Sequence, residues 1–126
     1  MIRRIILSLI LILVLPTIII AQNNTTRFFV AYDYENLTVD TTVGGVAFDS
    51  TIVGSTAQSV TFTVACASGS SCPIRFTLDG TAPTTSVGLR ADFEQSVTIY
   101  SNTNIKAFRV IREGATSAVL NVTYFR

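Results

Sequence analysis

The sequence predicts an all-β domain, a two-sheet sandwich of about seven or eight short strands, preceded by an N-terminal hydrophobic helix. Segments rich in Val, Ile, Phe, Tyr and Thr recur at close spacing, each bounded by Gly, Asn, Asp, Ser or Pro. Around the two cysteines the apolar residues alternate with period two, as a half-buried strand requires. Beyond residue 21 no window carries an apolar 3.6-residue period long enough for a helix. Short strands so closely spaced fit a sandwich better than a βαβ fold.

The hydrophobic helix belongs to MIRRIILSLILILVLPTIIIAQ. Arg3 and Arg4 form a positive end, Ile5 to Leu15 are apolar apart from Ser8, and Pro16 interrupts before the small Ala21. That layout is a secretory signal peptide over residues 1–21, with Ile19 an imperfect cleavage residue. The alternative is an uncleaved anchor, since Ile5 to Ala21 reaches the lower end of the roughly 17–25 residues that cross a bilayer. Both readings put the rest of the chain outside the cytoplasm, secreted or membrane-anchored, with membrane contact only through residues 1–21. Losing Arg3 and Arg4 turns the formal charge from +1 to −1. A nearly neutral chain without a basic run offers no footprint for nucleic acid.

Residues 22–36 read as a tether and first strand, and residues 37–126 as the sandwich. The predicted strands are Arg27–Tyr34, Leu37–Asp40, Val43–Phe48, Ser59–Cys66, Ile74–Leu78, Ser96–Tyr100, Ile105–Ile111 and Ala118–Phe125. The aromatic segment RFFVAYDY, Arg27 to Tyr34, is either the first strand or an arm that adds to a neighbouring subunit's sheet edge. Val60, Phe62, Val64 and Cys66 share one face, as do Cys72, Ile74, Phe76 and Leu78 in the next strand. In an exported chain Cys66 and Cys72 form a disulfide at the rim of the core. The two strands then either pair as a hairpin or belong to opposite sheets. Ile105–Ile111 has apolar residues in both parities and reads as a central strand buried on both sides. Leu120, Val122 and Tyr124 share a face against Asn121 and Thr123.

The stretches IRFTLDGTAPT and IKAFRVIREGATSAVLNVTYF carry a resemblance over roughly Leu37 to Arg126. They resemble the chitobiase/hexosaminidase C-terminal type of immunoglobulin-like module, and small immunoglobulin-like proteins common in tailed-phage and prophage genomes. The resemblance implies an immunoglobulin- or fibronectin-like Greek-key sandwich, favours opposite sheets for the cysteine strands, and implies an accessory or structural role. The export signal, the aromatic tether and the cysteine pair depart from the phage pattern and argue against a virion-internal role. The missing tryptophan and the short cysteine spacing argue against an antibody-type domain.

The chemistry points away from catalysis, and no cofactor or metal is expected. There is no histidine, and no nucleophile-elbow, phosphate-loop or zinc signature. The carboxylate pairs Asp92/Glu94 and Asp33/Glu35 fit solvated turns better than a glycosidase pair. The function expected is a non-catalytic structural or adhesive module of a virion or cell exterior, self-assembling or bound to a surface protein or glycan. Two alternatives stand beside it: an accessory carbohydrate-binding module, and a subunit joined by N-terminal strand addition. The candidate ligand loop comprises Asp79, Gly80, Thr81 and Thr84, with Tyr100 or Phe93 as a ring platform. Few other aromatics are expected on outward faces. Asn24, Asn36 and Asn121 head Asn-x-Thr sequons, which matter where the host glycosylates.

Overall fold

The computed structural model describes residues 28–66 and 71–126. The hydrophobic segment 1–21 lies outside them; among the described residues no helix is long and apolar enough to cross a membrane. The elements are β1 (Ala31–Val39), α1 (Ser50–Val53), β2 (Ser59–Cys66), β3 (Ile74–Thr77), β4 (Leu89–Ala91), β5 (Ser96–Tyr100), α2 (Asn102–Ala107), β6 (Arg109–Arg112) and β7 (Ala118–Phe125). One antiparallel sheet has the order β1-β7-β2-β5, the other β4-β3-β6. From β4 onward each successive strand crosses to the opposite sheet, as the Greek-key reading requires.

Alternation builds the core. Val60, Phe62 and Val64 of β2 and Leu120, Val122 and Tyr124 of β7 point inward from the larger sheet, and Ile74 and Phe76 of β3 meet them from the smaller one. Phe62 and Phe76 touch edge to face across the sandwich, their centroids 5.6 Å apart. Phe108 fills the space between the sheets, stacked on Phe48 at 4.0 Å.

The Cys66–Cys72 disulfide joins β2 to the residues before β3, so it staples opposite sheets and the hairpin alternative falls. Cys72 is fully buried, while Cys66, at the end of β2, is half-buried. The short loop it closes limits its contribution: replacing both cysteines by serine should lower unfolding free energy by about 2 kcal/mol. Urea unfolding of the two proteins checks this; equal midpoints would refute it.

Three expectations need correction, and one strand adds to them. First, Arg27–Tyr34 and Leu37–Asp40 are not two strands: Ala31–Val39 is one strand paired with β7 of its own chain, with a register shift between Ala31 and Asp33. Second, Val43–Phe48 is not a strand. Thr42 accepts from the Gly45 N–H at 2.9 Å, closing a turn, and only Val46 bridges to Val110. Third, Ile105–Ile111 is neither continuous nor central. It begins in α2, and β6 lies at a sheet edge. Ile105 and Phe108 are buried at helical spacing, then Phe108 and Val110 at strand spacing, so the two parities record a change of period at Phe108. The added strand is β4, whose three residues with one buried side chain, Ala91, give no readable alternation.

Candidate functional site

The turn that follows β3 behaves as its residue types dictate. The Asp79 carboxylate accepts the Thr81 N–H at 2.9 Å and Gly80 takes a φ of 82°. The Thr84 hydroxyl accepts the Val87 N–H at 3.0 Å, and Pro83 is buried. One oxygen of the Asp79 carboxylate and the Thr84 hydroxyl thus shape the loop itself. Asp79 also lines an open groove of about 420 Å³ with Phe76, Leu78 and Leu89.

Tyr100 lines a different depression. It ends β5 with its ring exposed, 6.2 Å from the ring of Phe29. Together with Ser55, Ala57, Gln58, Ser101 and Asn102 these rings line a cleft of about 510 Å³ containing no charged side chain. The cleft is built by the junction between β5 and α2. Ser101 holds a φ of 78°, unusual for a residue with a side chain, and its N–H donates to the Gln58 carbonyl at 3.0 Å. The Asn102 amide donates to the carbonyls of Gly54 and Ala57, at 3.3 and 3.0 Å, and ties the two walls together. Phe93, the other ring considered as a platform, packs against the core. Phe28, Phe29, Tyr34 and Tyr100 are all exposed, which corrects the expectation of few outward aromatics.

The carboxylate pairs serve the fold. Asp92 accepts from the Phe93 N–H at 2.8 Å, the Cys72 N–H at 3.0 Å and the Ser71 hydroxyl, and pairs with Arg90. Glu35 accepts the buried Tyr124 hydroxyl and the Asp49 N–H. Burial, and then that contact with Glu35, pushes the Tyr124 phenol well above its usual range. Asn36 and Asn121 lie opposite each other on exposed positions of β1 and β7, whereas Asn24 lies outside the described residues.

The Phe93 N–H, then the Ser71 hydroxyl, the Cys72 N–H and the Arg90 charge, hold Asp92 below its ordinary 3.8. A carboxyl depressed by folding adds stability that is complete above that value and disappears as pH falls through its folded pKa. Wild-type stability should therefore drop as pH falls below about 4, and Asp92→Asn should flatten part of that limb. Urea midpoints from pH 7 to pH ~2 check this; parallel curves for both proteins would refute it.

Sequence reasoning placed Tyr100 with the Asp79 loop and missed Phe29, Ser55, Gln58, Ser101 and Asn102. The run Ser101-Asn102-Thr103 carried a helix-start signal that could have marked the junction. Phe29 stands in the aromatic segment Arg27 to Tyr34, but nothing local ties it to Tyr100, 71 positions away in the chain.

No curated protein and no solved structure matches the chain. The profile of the chitobiase/beta-hexosaminidase C-terminal domain matches residues 49–121, from the residue before α1 to the middle of β7. That domain is an immunoglobulin-like, non-catalytic module. With more than half its length matched and the antiparallel sandwich in place, the chain belongs to the chitobiase/beta-hexosaminidase C-terminal domain family.

Proposed function

We propose that this protein is an exported, non-catalytic adhesive module of a virion or cell exterior that holds a neutral sugar in the Phe29–Tyr100 cleft. One observation carries the reading: two exposed rings stand over an uncharged set of hydroxyl, amide and backbone groups. Rings cover the apolar faces of a sugar, while Ser55, Gln58 and Ser101 exchange hydrogen bonds with its hydroxyls. The link between this domain family and carbohydrate binding supports the same reading, and the disulfide and the segment 1–21 support export.

A glycan array probed with the exported protein tests it. Neutral oligosaccharides should bind with millimolar or better affinity, and Tyr100→Ala should weaken binding about tenfold, equivalent to ~1.4 kcal/mol, without moving the melting temperature. Silence across the array, or binding unchanged by Tyr100→Ala, would refute the cleft.

A second reading rests on β1, the nine-residue outermost strand of the larger sheet. A neighbouring subunit that added a strand there would give a polymer. Light scattering at high concentration tests this, and a strict monomer refutes it.

A further inference from the structure

The solvent face of the β1-β7-β2-β5 sheet differs from the rest of the surface. In one row across the strands stand Tyr34, Thr123, Thr61 and Thr98. The next row holds Asn36, Asn121, Thr63 and Ser96. All eight side chains are polar or aromatic and none is charged. Designed solvent faces commonly carry roughly a quarter to a third charged residues. The other sheet follows that habit: there Arg75 and Arg90 both pair with Glu113, at 2.8 and 3.1 Å.

The uncharged face is also ordered. Thr61 and Thr98 share a hydrogen bond of 2.9 Å, and Thr63 and Ser96 one of 2.7 Å. Side chains in a row stand about 4.8 Å apart and the rows about 6.7 Å apart, the spacings of any pleated sheet. Each paired hydroxyl keeps hydrogen-bonding capacity toward solvent, and Asn36 and Asn121 supply both donors and acceptors. The face runs without interruption into the cleft: Thr61, Thr98 and Phe125 line a shallow depression together with Phe29 and Tyr100.

We propose that this face is a binding surface on which an extended neutral polysaccharide lies across the strands, with one end in the Phe29–Tyr100 cleft. The match of charge selects the occupant. Within these two rows no cation stands to hold a nucleic acid or an acidic glycan, and no anion to hold a basic protein; the nearest charge along β5 is the exposed Glu94, two residues before Ser96. A regular array of groups that both donate and accept suits a polymer whose hydroxyls do the same. The exposed Tyr34 at the far edge and Tyr100 at the near edge offer ring faces at both ends of its path. The inference rests on the cleft reading and extends it from one sugar to a chain.

Co-sedimentation with microcrystalline cellulose and with chitin tests the face, using the full exported protein made in a host without N-glycosylation. Retention on at least one polymer should survive high salt, because no ion pair is involved. Asn121→Lys places a charge in the middle of the face and should lower the partition coefficient about tenfold, whereas Asn121→Gln should leave it near wild type. Short oligosaccharides should still bind Asn121→Lys in the cleft with wild-type affinity, and Tyr100→Ala should weaken them about tenfold, so failure of the face and failure of the cleft are told apart. Asn36→Lys gives the same readout if Asn121→Lys does not fold. Three results overturn the proposal: polymer retention unchanged by either lysine, retention on neither polymer, or a wild-type dimer that the lysines dissociate. The last would make the face a self-association surface.

Discussion

Replacing Phe108 by alanine should lower the unfolding free energy by about 3–5 kcal/mol, the cost of emptying a buried aromatic site. The ring is fully buried, and its neighbours come from three separate parts of the chain. It stacks on Phe48 with an interplanar angle of 7° and stands 5.7 Å from Phe62 in one sheet and 5.9 Å from Phe76 in the other. No single neighbour can move into the space without abandoning another, so the cavity stays open. In a domain near 100 residues such a loss lowers the melting temperature by ~15–30 °C. Thermal melts and urea curves of wild type and Phe108→Ala read it directly. A change below about 1 kcal/mol would mean that the two sheets are not closed around this ring.

Gly88→Ala should be the second most damaging substitution, although it adds a single methyl group. Gly88 precedes β4 with a φ of 120°, backbone that side-chain-bearing residues rarely adopt. A Cβ there would lie 2.9 Å from the Phe76 carbonyl oxygen and 3.3 Å from its nitrogen, both backbone atoms of the neighbouring strand β3. The close approach lets β4 pair with β3, and Arg75 reaches over it to donate to the Gly88 carbonyl at 3.1 Å. Strain of this kind costs about 1–3 kcal/mol, to which the displaced β3–β4 pairing adds. Amide exchange should show Leu89–Ala91 losing protection while β2 and β7 keep theirs. Full protection of β4 in the variant would contradict the geometry.

The eight-residue strands β2 and β7 were legible because an unbroken two-residue period survives whatever the strand packs against, whereas β1, whose register shifts between Ala31 and Asp33, was read as two. β2 and β7 appear with the bounds the alternation implied, Ser59–Cys66 and Ala118–Phe125, and with the inward residues it named. The cysteine parity likewise placed the bridge at the edge of the core. Among the short elements, β3 and β5 were legible, but α2 and β4 were not. The six residues of α2 bury only Ile105, too few turns for a period to show, and β4 is shorter still. The Gly44-Gly45 pair marked a turn that the apolar residues around it concealed. In the candidate site, the shape of the Asp79 turn followed from local chemistry, but its separation from Tyr100 did not.

By itself, the sequence determined the all-β class, the inward and outward faces of the long strands, the disulfide partners and the family resemblance. These depend on side-chain alternation and on turn residues, which act over a few positions. Only the tertiary structure decided which sheet each strand joins, that the disulfide crosses between sheets, and that Phe29 meets Tyr100 over a cleft. It alone also assembled eight uncharged side chains from four strands into one face. Those outcomes depend on strand order and register, set by contacts between residues distant in the chain, and no local pattern of residues encodes them.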